Sequence, residues 1–223
     1  MPRHPHVLSS LIASLLFATA GLAAAQSNSA PGQGLFPGGS NIGDTQPGST
    51  AFDPTTGNYQ VKGGGFDVWS THDDFHLTWV KFTGDGSLTA DVQVAQPAVH
   101  AKAKGVLMFR QSLDTGSAYA DVALHGDGHI DIQWRATNGG ETKDTDLPEH
   151  GTTRVRIVRK GDIFTAYALT GEKETPAAPS VTVPMHGTVY VGLGVCSHST
   201  TELQTVTFTN VKLEPAASIL ASK

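Results

Sequence analysis

Hydrophobic and polar residues alternate with a period of two along most of the chain. In HIDIQWR (129–135), Ile130, Ile132 and Trp134 share one face while Asp131, Gln133 and Arg135 share the other. That is the pattern of a β-strand, whose successive side chains point to opposite sides. TRVRIVR (153–159) repeats it, with Val155 and Ile157 inward and Arg154 and Arg156 outward. Similar runs are NYQVK, FDVWS, FHLTWVKF, SLTADVQVA, KGVLMFRQSL, AYADVALH, DIFTAYALT, TVYVGLGVCS and LQTVTFTNVKL. Each is bounded by Gly, Asp, Asn, Pro or Thr, and HGDGH (125–129) between two of them is a tight hairpin signal. No stretch after residue 25 keeps a helical period. About eleven or twelve short strands without crossover helices predict an all-β sandwich of two antiparallel sheets.

The ends read differently. Residues 1–25 carry Arg3, an apolar run from Val7 to Leu22 and then Ala23-Ala24-Ala25, the layout of a cleaved secretory signal peptide. Residues 26–39 (QSNSAPGQGLFPGG) read as a flexible leader, residues 40–215 as one sandwich domain and 216–223 as a tail. Removing 25 of the 223 residues leaves 198, and the loss of Arg3 takes the net charge from −5 to −6. That length suits one domain with a sizeable core. Mild acidity argues against nucleic acid, which needs clustered positive charge. With Cys196 as the single cysteine, no internal disulfide forms. The expected location is periplasmic or extracellular, with no transmembrane span after signal cleavage.

Four segments together resemble a known family. GGGFDVWSTHDDFHLTWVKFTGDGSLTADVQV (63–94) is followed by AKAKGVLMFRQSLDTGSAYADVAL (101–124), RVRIVRKGDIFTAYALTGE (154–172) and VYVGLGVCSHSTTELQTVTFTNVKL (189–213). In this order they resemble a secreted module of the concanavalin A-like lectin/glucanase superfamily, found alone or fused to TolB-type propellers and polysaccharide-degrading enzymes. The resemblance spans roughly Asn41 to Leu213. It implies a jelly-roll sandwich with one concave and one convex sheet, and a carbohydrate-binding or adhesive role. Gln111 stands where an acidic residue is common in that family, and a Trp expected near Thr152 is missing.

Catalysis finds little support in the residues. Retaining glucanases of that superfamily set two carboxylates about 5 Å apart on one strand, in a Glu-x-Asp-x-Glu pattern. None of Glu141, Glu149, Glu172, Glu174, Glu202 and Glu214 lies in one. There is no Gly-x-Ser-x-Gly elbow, and Cys196, beside His198, reads as a buried thiol behaving as a small hydrophobe. The chain is therefore expected not to be an enzyme. The alternative is an enzyme with an unfamiliar site around His76 or His198.

Sugar sites in β-sandwiches combine a stacking aromatic ring with planar polar groups. The candidates for ligand binding are Asp67, Trp69, His76, Arg110 and Gln111. Trp79 and Trp134 fall on apolar faces and read as core. Arg110 follows Val106 and Met108 on an apolar face, so its guanidinium either reaches a carboxylate such as Asp67 or lines a groove. Asp67 and Trp69 alternate with Phe66 and Val68, which allows them to share that groove. His76 also fits a satisfied structural histidine.

For metals, Asp73, Asp74 and Asp127 are turn aspartates with the hard oxygens calcium takes, although turn formation alone explains them. His72 with His76, and His125 with His129, are spaced for zinc only on a helix; on a hairpin they diverge unless the turn folds them together. No cofactor is predicted. The expected function is a non-catalytic exported recognition module with carbohydrate as its partner. The rival is a cell-envelope protein-interaction module, which an exposed apolar patch would favour.

Overall fold

The computed structural model describes Met1 and residues 34–148, 153–171, 173–176 and 179–216. The expected signal peptide, most of the leader and nearly all of the tail lie outside the described residues. Seven strands form one antiparallel sheet in the order β1 (Gly38–Ile42), β6 (Phe75–Thr83), β16 (Thr188–Cys196), β8 (Lys104–Arg110), β9 (Tyr119–His125), β10 (Ile130–Arg135) and β11 (Lys143–Asp146). A second, eight-stranded sheet runs β14 (Lys173–Pro176), β13 (Ile163–Thr170), β12 (Arg154–Lys160), β7 (Gly86–Val94), β17 (Ser199–Pro215), β3 (Asn58–Gly65) and β2 (Ser49–Asp53), with β15 (Val181–Thr182) paired to β13. Two short strands, β4 (Val68–Trp69) and β5 (His72–Asp73), make a separate hairpin. The expected all-β, two-sheet antiparallel sandwich is what the chain forms.

Between the sheets lies the main core. Leu107 and Phe109 of β8, Val122 of β9 and Ile130 and Ile132 of β10 meet Leu88 and Val92 of β7, Ile157 of β12 and Phe164 of β13. Trp134 flanks this cluster, on the apolar face that its alternation predicted. The first strand begins inside the stretch expected to be leader, and Phe36 just before it is buried. Glycine composition hid this strand. A Cβ on Gly38 would meet the Trp79 ring at 2.4 Å, so the close approach of β1 to β6 needs a residue with no side chain there.

Asp131, Gln133 and Arg135 put a polar set on the other face of the seven-stranded sheet, which alternation alone would leave to solvent. Instead all three are buried, and every residue of β8 and β9 is buried as well. The cover is the segment 66–74, which carries β4 and β5. Beneath it Val68 packs in a second apolar cluster with Ile42, Phe75, Leu77, Val106, Met108, Tyr119, Ala123 and Cys196. Trp79 flanks that cluster.

One carboxylate pins the cover. Asp73, fully buried, accepts Arg135 Nη2 at 2.7 Å on Oδ1, and Arg135 Nη1 at 2.9 Å and Arg110 Nη1 at 3.1 Å on Oδ2. Arg110 also donates to the carbonyls of Ser112 and Asp114, and Arg135 to those of Trp69, Ser70, Gly140 and Ser117. The guanidiniums lie 5.3 Å from the Phe75 ring centroid and 5.1 Å from that of Tyr119. Burial pushes the Asp73 carboxyl up and the Arg110 guanidinium down, both toward neutrality, and the opposed charges pull each back. Two expectations are corrected here. Arg110 is sealed from solvent and cannot touch a ligand; it does reach a carboxylate, but that of Asp73 rather than Asp67. Asp73 cannot ligate calcium, because both of its oxygens are already held by arginine.

Removing one member of such a group strands buried charge, which costs about 3–5 kcal/mol. Asp73→Asn should therefore lower the urea-unfolding free energy by about that much. A loss below about 1 kcal/mol would show that the arginines are held well enough by carbonyls alone.

Candidate functional site

Where the cover ends, the outer face of the seven-stranded sheet opens into a groove of about 270 Å³. Asp67 and Trp69 of the cover form one wall, and Lys104 of β8, His125 of β9 and Asp131 and Gln133 of β10 line it from the sheet. Strand alternation places these last four on one face: Lys104 shares a side with Val106, Met108 and Arg110, while Asp131 and Gln133 share one with Arg135. The indole of Trp69 is 36% exposed, the largest such ring on this surface after Phe66.

The polar side chains are tied into a rail. Lys104 Nζ donates to Asp67 Oδ1 at 2.8 Å and to Gln133 Oε1 at 3.4 Å. Gln133 Nε2 donates to Asp131 Oδ2 at 3.1 Å, and Asp131 Oδ1 lies 3.2 Å from His125 Nε2. At the other end Asp67 Oδ2 is 3.4 Å from His198 Nδ1, off the line of a hydrogen bond. Burial works against the Lys104 charge, but Asp67 and its neighbours outweigh it and leave the ammonium above its usual range. Burial lowers His198, with Asp67 opposing. The groove therefore sets the Trp69 indole and the Asp67 carboxylate above a floor that holds the Lys104 ammonium and the Gln133 amide, each only 2% exposed.

At one end the hairpin turn of residues 125–129 folds its two histidines together, their ring centroids 5.2 Å apart. Donor atoms of His125, His129 and Asp131 all lie within 4.8 Å of one another, and among the described residues this is the cluster of three or more His, Cys, Asp or Glu close enough to hold one ion. The hairpin divergence expected from spacing alone is thus overcome by the turn.

The remaining candidates, apart from Asp127 in the hairpin turn at the groove, lie elsewhere. His76 points between the sheets, its Nδ1 2.7 Å from Asn41 Oδ1 and its Nε2 3.2 Å from Thr50 Oγ1, which makes it a satisfied structural histidine. Gln111 bonds the His186 backbone in both directions, with Oε1 accepting at 2.8 Å and Nε2 donating at 3.0 Å, and lines a different cavity. Asp74 accepts the Asp44 N–H at 2.8 Å, and Asp127 accepts the His129 N–H at 3.0 Å. The first is a tertiary contact across 30 residues and the second a turn bond, and Asp73, Asp74 and Asp127 form no shared donor cluster among the described residues. Lys104, His125, His129 and Asp131 were missed as a group. The signal was present in the repeating Lys-x-Val-x-Met-x-Arg of 104–110, which puts two cations on an apolar face. Cys196 donates to Gly65 O at 3.3 Å, and burial pushes its thiol up to about 12, so no thiolate nucleophile stands beside His198 at neutral pH.

No family model and no curated protein matches the sequence. Solved structures do. A functionally unknown protein from Saccharomyces cerevisiae aligns over 77% of this chain and 94% of its own, with a TM-score of 0.58 and 15% identity. The carbohydrate-binding module CBM66 from Bacillus subtilis aligns over 78% of this chain and 98% of its own, with a TM-score of 0.50 and 16% identity. A GH43 protein from Bacillus licheniformis aligns over 78% of this chain but only 38% of its own, with a TM-score of 0.53 and 13% identity. At these identities the likeness carries the fold, a lectin-like jelly-roll sandwich.

Beneath the rail sits Asp121, on β9 opposite Gln133 and fully buried. Neither of its oxygens meets a well-aligned donor among the described residues. Burial, reinforced by Asp131 and opposed by Lys104, raises its carboxyl well above the usual range and so favours the protonated form in the folded protein. The unfolded chain releases that proton near pH 4. The group's contribution to stability is therefore full below about pH 4 and falls by about 1.4 kcal/mol per pH unit as the pH rises toward the folded value. Asp121→Asn should be more stable than the parent at pH 7, with the gap in urea-unfolding free energy widening from pH 5 to pH 7. A gap that does not change with pH would mean the carboxylate is ionised, as a partner of Lys104.

Proposed function

We propose that the chain is a non-catalytic carbohydrate-recognition module acting outside the cytoplasm, and that the groove between the cover and β8–β10 is its binding surface. The observation that carries this reading is Trp69, half of a stacking platform, set beside Asp67, Lys104 and Gln133 that are already locked to one another. A pyranose offers an apolar face to the indole and hydroxyls to the planar groups. Because the polar groups are held before binding, little ordering entropy is lost when a sugar docks. The structural likeness to a protein described as a carbohydrate-binding module supports the same reading. Against catalysis stands the placement of the acids. Asp121, the carboxyl whose burial favours its neutral form, does not line the groove, while Asp67 is bound to Lys104 and Asp131 to Gln133. Among the described residues the large exposed apolar side chains other than Met1 are Phe66, Trp69, Ile163 and Leu203, drawn from the cover, β13 and β17. This favours the groove over an adhesive apolar face. Export rests on the sequence of residues 1–25, and a fusion or association with TolB-type partners on the resemblance alone.

A shallow site of this kind binds weakly, with Kd in roughly the micromolar to millimolar range. A glycan array and polysaccharide affinity gels should show saturable binding. Trp69→Ala should weaken it about tenfold or more, with the melting temperature little changed because the ring is already exposed. If the folded protein binds no glycan, or if Trp69→Ala binds as well as the parent, the proposal fails.

A further inference from the structure

The end of the groove at the β9–β10 hairpin has chemistry that sugar recognition does not use. We propose that His125, His129, Asp131 and Asp146 form a site for a borderline divalent cation of the zinc type. This goes beyond glycan recognition and does not depend on it.

Three observations carry the proposal. First, three of the donors are already gathered for one ion. Donors about 2.0 Å from a tetrahedral ion lie about 3.3 Å from one another. The donor atoms of His125, His129 and Asp131 all lie within 4.8 Å of one another, with His125 Nε2 3.2 Å from Asp131 Oδ1. Asp146, outside that cluster of three, reaches His129 Nε2 at 3.2 Å through Oδ1 and is the side chain that would swing in as fourth ligand. Second, Asp131 and Asp146 stand directly opposite across β10 and β11. Like charges in that position repel, and a cation between them converts the repulsion into ligation. Third, the scaffold is fixed before the ion arrives. His125 N donates to His129 O at 2.9 Å, Gly128 N to His125 O at 3.0 Å and Gly126 N to Ala103 O at 2.7 Å. A Cβ at Gly126 would meet His100 O at 2.6 Å, so the turn lies tightly against the neighbouring loop. Gln133 Nε2 orients Asp131 through Oδ2 and leaves Oδ1 on the histidine side.

The donor types select the ion. Two imidazole nitrogens and two carboxylate oxygens suit zinc and its neighbours in the first transition row. Calcium takes oxygen ligands, six to eight of them, so the two imidazoles at the centre of the cluster disfavour it.

The test uses the purified chain stripped with chelator and dialysed against zinc chloride alone, with calcium chloride as a parallel arm. About one zinc should be retained per chain, and millimolar calcium should not displace it. His129→Ala, at a partly exposed position where folding should survive, should weaken zinc retention by about 10–100-fold or more. Asp146→Asn, on a side chain 71% exposed, should weaken it several-fold with no change in melting temperature. Cobalt should give the strong visible absorption of a tetrahedral site in the parent and lose it in His129→Ala. No retained zinc, or equal retention by His129→Ala, overturns the proposal and leaves a metal-free histidine–carboxylate cluster. The readout is metal retention without sugar, so its failure and a failure of glycan binding are separately visible.

Discussion

A single carboxylate decides how this sandwich uses its outer face. The Asp73 side chain is buried between Arg110 and Arg135 and brings β5 down onto β8 and β10. The association is costly to bury and more costly to break, because each partner would leave a charge in a low-dielectric interior. Its consequence is mechanical. With Asp73 held, and Trp69 and Ser70 giving their carbonyls to Arg135, the backbone of the cover has little freedom near the two residues that wall the groove. Tyr119 adds a bond from its hydroxyl to the Val68 carbonyl. The wall of the groove is thus a loop tied down on both sides of Trp69 and Ser70.

That same covering explains why charged residues line a sheet whose other face is an ordinary apolar core. Lys104, Asp121, Asp131 and Gln133 sit partly or wholly beneath it, where interactions are stronger than in water. Within this small region the environment separates the acids by role. Asp67 faces an ammonium, Asp131 accepts from an amide and faces an imidazole, and burial pushes Asp121 toward its neutral form. A polar rail linked end to end in this way resists rearrangement, since moving one member leaves its neighbours unsatisfied.

The sandwich was legible because period-two alternation states directly which side chains meet between the sheets. Ile130, Ile132 and Trp134, and likewise Val155 and Ile157, lie where that pattern put them. What alternation cannot say is whether the opposite face meets water. Gln133 and Arg135 look the same in sequence whether solvent or a distant segment covers them, and here the covering segment lies some sixty residues earlier in the chain. Arg110 shows the same limit: its apolar strand face implied a partner carboxylate, but the choice among nearby aspartates is made by tertiary contact. Trp69 and Asp67 were found because alternation within the cover puts them together. The histidine pair was noticed and set aside, because hairpin geometry depends on a turn whose glycines reveal flexibility, not the direction in which the flanking rings converge.

The rim of the seven-stranded sheet has a bearing on how such an all-β chain stays soluble. Strand β11 is only Lys143–Asp146, with a charged side chain at three of its four positions. An open strand edge is a template on which another chain can pair. Any strand added alongside β11 would have to bury Asp144 or Asp146 against its own side chains, and β14 at the rim of the other sheet ends in Pro176, which has no N–H to offer. The acidic strand that borders the groove through Asp144 thus also works against growth of the sheet from one copy to the next.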